Sequence, residues 1–222
     1  MEFNEILKHV DHTQLKAFAT WEDIETLCDE AEKFHTASVC VPPCYIRRIN
    51  EAYENELNIC TVIGFPLGYE VTPAKIKEAE EAVADGASEI DMVININEVK
   101  NGNIDYVRDE IARIRKVCSG RILKVIIETC YLSREEKIAM CHAVTDGGAD
   151  YIKTSTGFGT AGAVMEDIEL FKKYIGSGVK IKAAGGIRTK KFMEDLLNAG
   201  VDRLGCSAAV ELAEKEEKNE HI

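Results

Sequence analysis

Short runs rich in β-branched and apolar residues alternate along this chain with longer stretches in which apolar positions recur every three or four residues. The short runs predict eight strands, at residues 9–13, 37–41, 59–64, 89–94, 122–128, 151–155, 179–184 and 203–207. The longer stretches predict helices at 21–34, 73–84, 106–118, 133–144, 165–174 and 189–199. Glycines at 86, 147–148 and 200 sit just past a last turn, where a left-handed residue closes a helix. Ser133 is followed by Glu136 at the spacing of a capping box. Phe3, Ile6, Leu7 and Val10 fall at helical spacing and predict a short N-terminal helix that covers the bottom of the sheet, while the polar tail after Leu212 predicts a last helix fraying into solvent. Strands that alternate with helices imply parallel pairing through helical crossovers. Eight such units with no serine-, glycine- or proline-rich linker predict one α/β domain over 1–222, a (β/α)8 TIM barrel rather than a doubly wound sheet. In that architecture reactive groups sit at the C-terminal ends of strands.

Composition narrows the partners. The 222 residues are 45% hydrophobic, enough for a substantial core, and 27 basic against 39 acidic residues leave a net charge of −12. That charge argues against general binding to nucleic acid or to an anionic membrane, so an anionic ligand needs a local positive site. No apolar run approaches the roughly 20 residues of a membrane span, and the charged start lacks the layout of a signal peptide, so the cytoplasm is the expected compartment. Eight cysteines (28, 40, 44, 60, 118, 130, 141 and 206) include no Cys-x-x-Cys pair. Several lie in or beside predicted strands, where a reduced thiol behaves as a small apolar group.

Lysine is disfavoured in strands and almost never fully buried, yet Lys153 and Lys182 each stand in the middle of an apolar, glycine-terminated strand. Alternation places Tyr151, Lys153 and Ser155 on one face of their strand, and Lys180, Lys182 and Ala184 on one face of theirs. Both lysines can therefore point into the barrel from neighbouring strands. Two ammonium groups held close repel, one releases its proton more readily, and a neutral amine attacks an aldehyde or ketone to form a Schiff base. The alternative is that one or both turn outward to pair with helix carboxylates.

Asp91 is an acid in an otherwise apolar strand; it either balances the lysines and shuttles protons through water or makes a structural ion pair. Asp11 and Thr13, at the end of the first strand, are placed to bond a hydroxylated substrate, although a helix cap explains them nearly as well. Three strand ends carry glycine: Gly157, then Gly185 and Gly186, then Gly205 followed by Ser207. Backbone N–H groups in such loops suit an anion, barrels often hold phosphate after their last strands, and Arg188 adds a fixed cation. Each loop alone is also explained by the needs of a turn. The histidines at 9, 12, 35, 142 and 221 lack metal-ligand spacing, and the basic run 113–116 reads as a solvated helix face. No metal is expected.

Together, Asp11-His12-Thr13, Ser38-Val39-Cys40-Val41-Pro42-Pro43, Val62-Ile63-Gly64-Phe65-Pro66-Leu67-Gly68, the strand around Asp91, Tyr151-Ile152-Lys153-Thr154-Ser155-Thr156-Gly157-Phe158 and Lys182-Ala183-Ala184-Gly185-Gly186-Ile187-Arg188 resemble the deoxyribose-phosphate aldolases over nearly the whole chain. The resemblance implies a class I lyase without metal or other cofactor, acting on small phosphosugar and aldehyde substrates, with a homodimer as a plausible assembly. It implies Lys153 as the Schiff-base lysine, Lys182 as the cation that lowers its pKa, and Asp91 as the acid/base partner. Cys40 matches a position lining the substrate site, and Thr13 and Thr156 match positions near the sugar hydroxyls. Gly157, Gly185, Gly186, Arg188, Gly205 and Ser207 match the phosphate site. The implied reaction is reversible cleavage of 2-deoxyribose 5-phosphate to glyceraldehyde 3-phosphate and acetaldehyde. This chain departs from some members in having Phe158 in place of a basic residue, Ala208 in place of a second serine, and a tail ending Glu220-His221-Ile222 without a tyrosine. Two other readings fit the same residues: another phosphosugar barrel enzyme, transaldolase-like or an isomerase, and a non-catalytic phosphosugar-binding barrel.

Overall fold

Each predicted strand pairs in parallel with the next, and the last closes on the first. The computed structural model describes residues 1–54 and 56–220; the tail residues His221 and Ile222 lie outside the described residues. The strands are β1 (Val10–Thr13), β2 (Ser38–Val41), β3 (Ile59–Ile63), β4 (Glu89–Val93), β5 (Ile122–Ile126), β6 (Tyr151–Lys153), β7 (Lys180–Ala184) and β8 (Arg203–Cys206). Register places Asp91 opposite Lys124, Lys153 opposite Lys182, and Asp11 opposite Gly205. The chain is thus a closed (β/α)8 barrel.

The crossovers are α2 (Trp21–Phe34), α3 (Ile46–Ala52), α4 (Thr72–Ala84), α6 (Ile104–Val117), α7 (Arg134–Asp146), α8 (Met165–Tyr174) and α9 (Lys190–Asn198), with α10 (Ala209–Glu220) after the last strand. The amphipathic stripe of α2 explains why its bounds match the expected 21–34: Ile24, Leu27, Cys28 and Ala31 face the sheet, and a Thr20–Asp23 capping box starts it. Ser133 and Glu136 cap α7 in the same way. The short α3 and α5 (Ile96–Lys100) were not legible, because each buries only one or two residues and offers no sustained period.

α1 (Phe3–Leu7) buries Phe3, Ile6 and Leu7 and packs on α9 and α10, while Val10, which fits the same helical spacing, opens β1 instead. β6 ends two residues earlier than expected. Beyond Lys153 the Thr154 hydroxyl takes over the ladder, accepting from the Ala184 N–H at 3.1 Å and donating to the Ala184 carbonyl at 3.2 Å. α10 runs further than the polar tail suggests, held by Val210 and Ala213 in the core and by ion pairs from Lys33 and Lys190 to Glu214 and Glu216. Among the described residues no helix is long and apolar enough to cross a membrane.

Candidate active site

Alternation along the strands turns a set of charges toward the barrel axis. Asp91 on β4 is fully buried and accepts from three lysines: Lys124 at 2.9 Å on Oδ1, and Lys153 and Lys182 each at 2.7 Å on Oδ2. The nitrogens of Lys153 and Lys182 are therefore no farther apart than twice that distance. Asp11 on β1 accepts from Ser38 Oγ at 2.7 Å and from Lys182 and Arg203, with Lys124 at 3.4 Å. Glu89 completes the cluster between Lys124 and Arg203. Four cations (Lys124, Lys153, Lys182, Arg203) thus meet three carboxylates (Asp11, Glu89, Asp91) in the interior.

Burial alone would push Asp11, Asp91, Lys124 and Lys182 toward their neutral forms, and the contacts reverse that. Burial raises Asp91, but Lys124, Lys153 and Lys182 outweigh it and hold the carboxyl well below the usual range. Asp11 is held far down in the same way by Lys124, Lys182 and Arg203. Against the effect of burial, Asp11 and Asp91 keep Lys124 and Lys182 well above the ordinary lysine range. Lys182 is accordingly a fixed cation at neutral pH.

Above this cluster, at the C-terminal ends of β1, β6, β7 and β8, lies a cleft of about 500 Å³. Lys153 is the cluster's one amine in its lining; Lys182 and Asp91 lie directly beneath. Thr13, Thr156, Gly157, Gly185, Gly186, Arg188, Gly205 and Ser207 all line the cleft. Gly205 lacks a side chain for a reason: a Cβ there would stand 3.2 Å from Lys182 Cε and 2.9 Å from Ala184 Cβ. Gly185 has φ +82°, and a Cβ would press to 3.0 Å on Gly162. Among the described residues no protein acceptor meets the N–H of Gly157, Gly186 or Ser207, which leaves three donors beside Arg188 for an anion.

Two expected ligand residues lie elsewhere. Asp11 does not line the cleft: it is wholly buried below it, its oxygens taken by Ser38, Lys182 and Arg203. Cys40 is 1% exposed and packs with Cys60 and Val62 under Leu15 and Phe65. The thiols of Cys40 and Cys60 and one oxygen of Asp91 lie close enough together to hold an ion, as do Asp11, Cys60 and Glu89, but lysine ammonium groups already occupy these carboxylates and repel a cation.

Residues not foreseen complete the picture. Lys124, in Ile122-Leu123-Lys124-Val125, carries the same signal as the other strand lysines and was there to be read. Arg203 and Glu89 open their strands, where sequence gives no sign of their pairing. Glu128 follows β5 in a left-handed conformation (φ 52°), fully buried, and accepts from the N–H and hydroxyl of Thr156. Lys16 and Lys215, from the β1 loop and α10, line the cleft beside Arg188, and Phe158 lines it as well, edge-on to Phe65 at 5.3 Å.

A model of the DeoC/LacD family of aldolases matches residues 6–207. The deoxyribose-phosphate aldolase of Clostridium botulinum (strain Alaska E43 / Type E3) is 62% identical over 213 residues, 96% of each chain. That of Clostridioides difficile (strain 630) is 51% identical over 216 residues, 97% of this chain and 99% of its own. The solved structure of deoxyribose phosphate aldolase from Aeropyrum pernix, described as a tetramer, superposes with a TM-score of 0.90 at 29% identity, covering 98% of this chain and 93% of that one. The matched span takes in every strand of the barrel and every charge of the buried cluster, and the chain belongs to the DeoC/LacD aldolase family.

Proposed function

We propose that this protein is a class I aldolase that reversibly cleaves 2-deoxyribose 5-phosphate to glyceraldehyde 3-phosphate and acetaldehyde through a Schiff base on Lys153. The observation that carries the reading is the shared carboxylate: Lys153, the one cluster amine at the cleft, and Lys182, a fixed cation, both bond Asp91 Oδ2. The cluster holds one more cation than carboxylates. Lys153 has a single carboxylate partner, whereas Lys124 has three and Lys182 two, so Lys153 is the amine least committed to ion pairs and the one that opens to the cleft.

The open-chain sugar aldehyde condenses with this amine, water leaves, and the iminium nitrogen remains a cation against Asp91. Loss of the proton from the C3 hydroxyl breaks the C2–C3 bond, the electron pair passing into the iminium to form an enamine as glyceraldehyde 3-phosphate departs. Protonation of the enamine at C2 and hydrolysis release acetaldehyde and restore Lys153. The fixed charges of Asp91 and Lys182 are already in place for the iminium, so little reorganisation accompanies the step. A carboxyl held as low as Asp91 is a weak proton acceptor, which supports a part for it as the bridge between Lys182 and Lys153 with water carrying the proton to carbon. The N–H groups of Gly157, Gly186 and Ser207, with Arg188, suit the phosphate, and Lys16 and Lys215 add positive charge at the rim. Binding there holds the reacting carbons in line and converts phosphate affinity into rate.

Borohydride added with acetaldehyde is expected to leave a reduced two-carbon adduct on the peptide carrying Lys153, read by mass spectrometry. Lys153→Leu is expected to lose the adduct and about 10⁴-fold or more of the activity while keeping the native circular dichroism spectrum. An unmodified Lys153 with sustained turnover would favour an isomerase-type reaction instead.

A further inference from the structure

We propose that Cys40 and Cys60 form a reversible disulfide when the protein meets a hydroperoxide, and that this bond switches the site off. Its effect on turnover rests on the aldolase reading above; the bond itself does not.

The two cysteines are in-register partners on the neighbouring strands β2 and β3, so their side chains leave the sheet on the same face. In-register strands lie about 4.8 Å apart, inside the roughly 4.4–6.8 Å between Cα atoms that a disulfide spans. Their sulfurs, together with a carboxylate oxygen of Asp91, all fall within 4.8 Å of one another. Both side chains are buried and belong to one small cluster with Val62, which among the described residues holds no third thiol.

The pair is also chemically unequal, as exchange through an oxidised intermediate requires. The adjoining Cys60 thiol, against the opposing effect of burial and with help from Lys182 and Lys153, holds Cys40 below the ordinary cysteine range. Burial pushes Cys60 well above it, with Cys40 and Asp91 adding to the shift. The directions of these shifts make Cys40 the more acidic thiol and the one that meets the oxidant, with Cys60 the thiol that resolves it. Leu15, which covers the cluster, also lines the cleft beside Lys153, so displacing it opens the pair to the cleft.

In the first step the Cys40 sulfur attacks the hydroperoxide, the O–O bond breaks, and Cys40 sulfenic acid and an alcohol (water from hydrogen peroxide) are formed. In the second the Cys60 sulfur attacks the sulfenic sulfur, the S–O bond breaks, and hydroxide leaves with the Cys60 proton as water. Two thiols have lost two electrons and two protons, and the peroxide has taken up both. The product cannot keep the Cys60 thiol's bond to Asp91 Oδ1 (3.2 Å), and it pulls on the sulfur that Lys124 touches at 3.2 Å. Both changes fall on the carboxylate that holds Lys153.

The test treats the whole protein with hydrogen peroxide, then blocks free thiols with N-ethylmaleimide under denaturing conditions. The expected result is a loss of about 2 Da before blocking, a peptide linking Cys40 to Cys60 that persists in Cys44→Ser, and loss of most turnover, with mass and turnover both restored by dithiothreitol. Absence of the mass loss, a link through Cys44, oxidation of Cys40 to a sulfonic acid without the link, or a full link with unchanged turnover would each overturn the proposal. Borohydride trapping on untreated protein reports separately on the aldolase reading, so failure of one is not mistaken for failure of the other.

Discussion

Lys153 and Lys182 sit in register on adjacent strands and bond one oxygen, yet their surroundings give them different work. Lys182 touches two carboxylates and stays charged; Lys153 touches one and opens to the cleft. Lys182→Leu removes the fixed cation, so the pH at which turnover sets in should move upward and the rate at neutral pH fall by about 10²–10⁴. A pH–rate profile with the wild-type midpoint would count against this assignment. Arg188 is exposed at the cleft rim, and its charged hydrogen bond to phosphate is worth about 1.5–3 kcal/mol. Arg188→Ala should therefore raise KM for the phosphosugar roughly 10- to 100-fold and leave KM for unphosphorylated deoxyribose unchanged. Equal losses on both substrates would place Arg188 outside the phosphate site. At this scale the candidate residues were legible because a charge inside an apolar strand is anomalous in its own neighbourhood. Asp11 was legible as a polar strand end, but its true partners, Lys182 and Arg203, stand 171 and 192 positions away.

Elements were readable where they carry their own boundary chemistry. The α7 capping box is such a case: the Ser133 hydroxyl accepts from the Glu136 N–H at 3.2 Å, and the Glu136 side chain accepts from the Ser133 N–H at 2.6 Å. Ser133→Ala should cost about 1 kcal/mol and lower Tm by about 2–4 °C, measured by calorimetry, with no change in KM because α7 lies outside the cleft lining. A fall no larger than that of a surface control would mean that water replaces the cap. α3 and α5 were not readable: α3 has no side-chain cap, and the Asn95 side chain that caps α5 opens a helix of only five residues, too short to show a stripe. The end of β6 at Lys153 was misplaced for a related reason: the Thr154 hydroxyl imitates a backbone partner, and the sequence pattern of a strand continues where the strand does not.

The whole molecule decides how the buried charges behave with pH. Asp11 and Asp91 are held below the ordinary carboxyl value, so the stability they contribute is fully present above about pH 3.9 and is lost as pH falls below it. Lys124 and Lys182 are held above the ordinary lysine value, so their share is present below about pH 10.4 and is lost only as pH rises beyond it. The difference in urea stability between wild type and Asp11→Asn should therefore stay level from about pH 5 to 9 and narrow below about pH 4; narrowing already between pH 7 and 5 would show that the carboxylate is not so held. By itself the sequence determined the eight-fold alternation, the parallel pairing it implies, the glycine-bearing strand ends, and the anomalous Lys153, Lys182 and Asp91, because period and local contrast are written in consecutive residues. Closure of β8 on β1 decided the rest. It brought Arg203 to Asp11 and Glu89, set Lys124 into the same cluster, sank Asp11 beneath the floor, and carried Lys215 on α10 over the cleft. These are encounters between residues far apart along the chain, and only the barrel's circumference, which no local pattern records, determines which inward-facing charges meet.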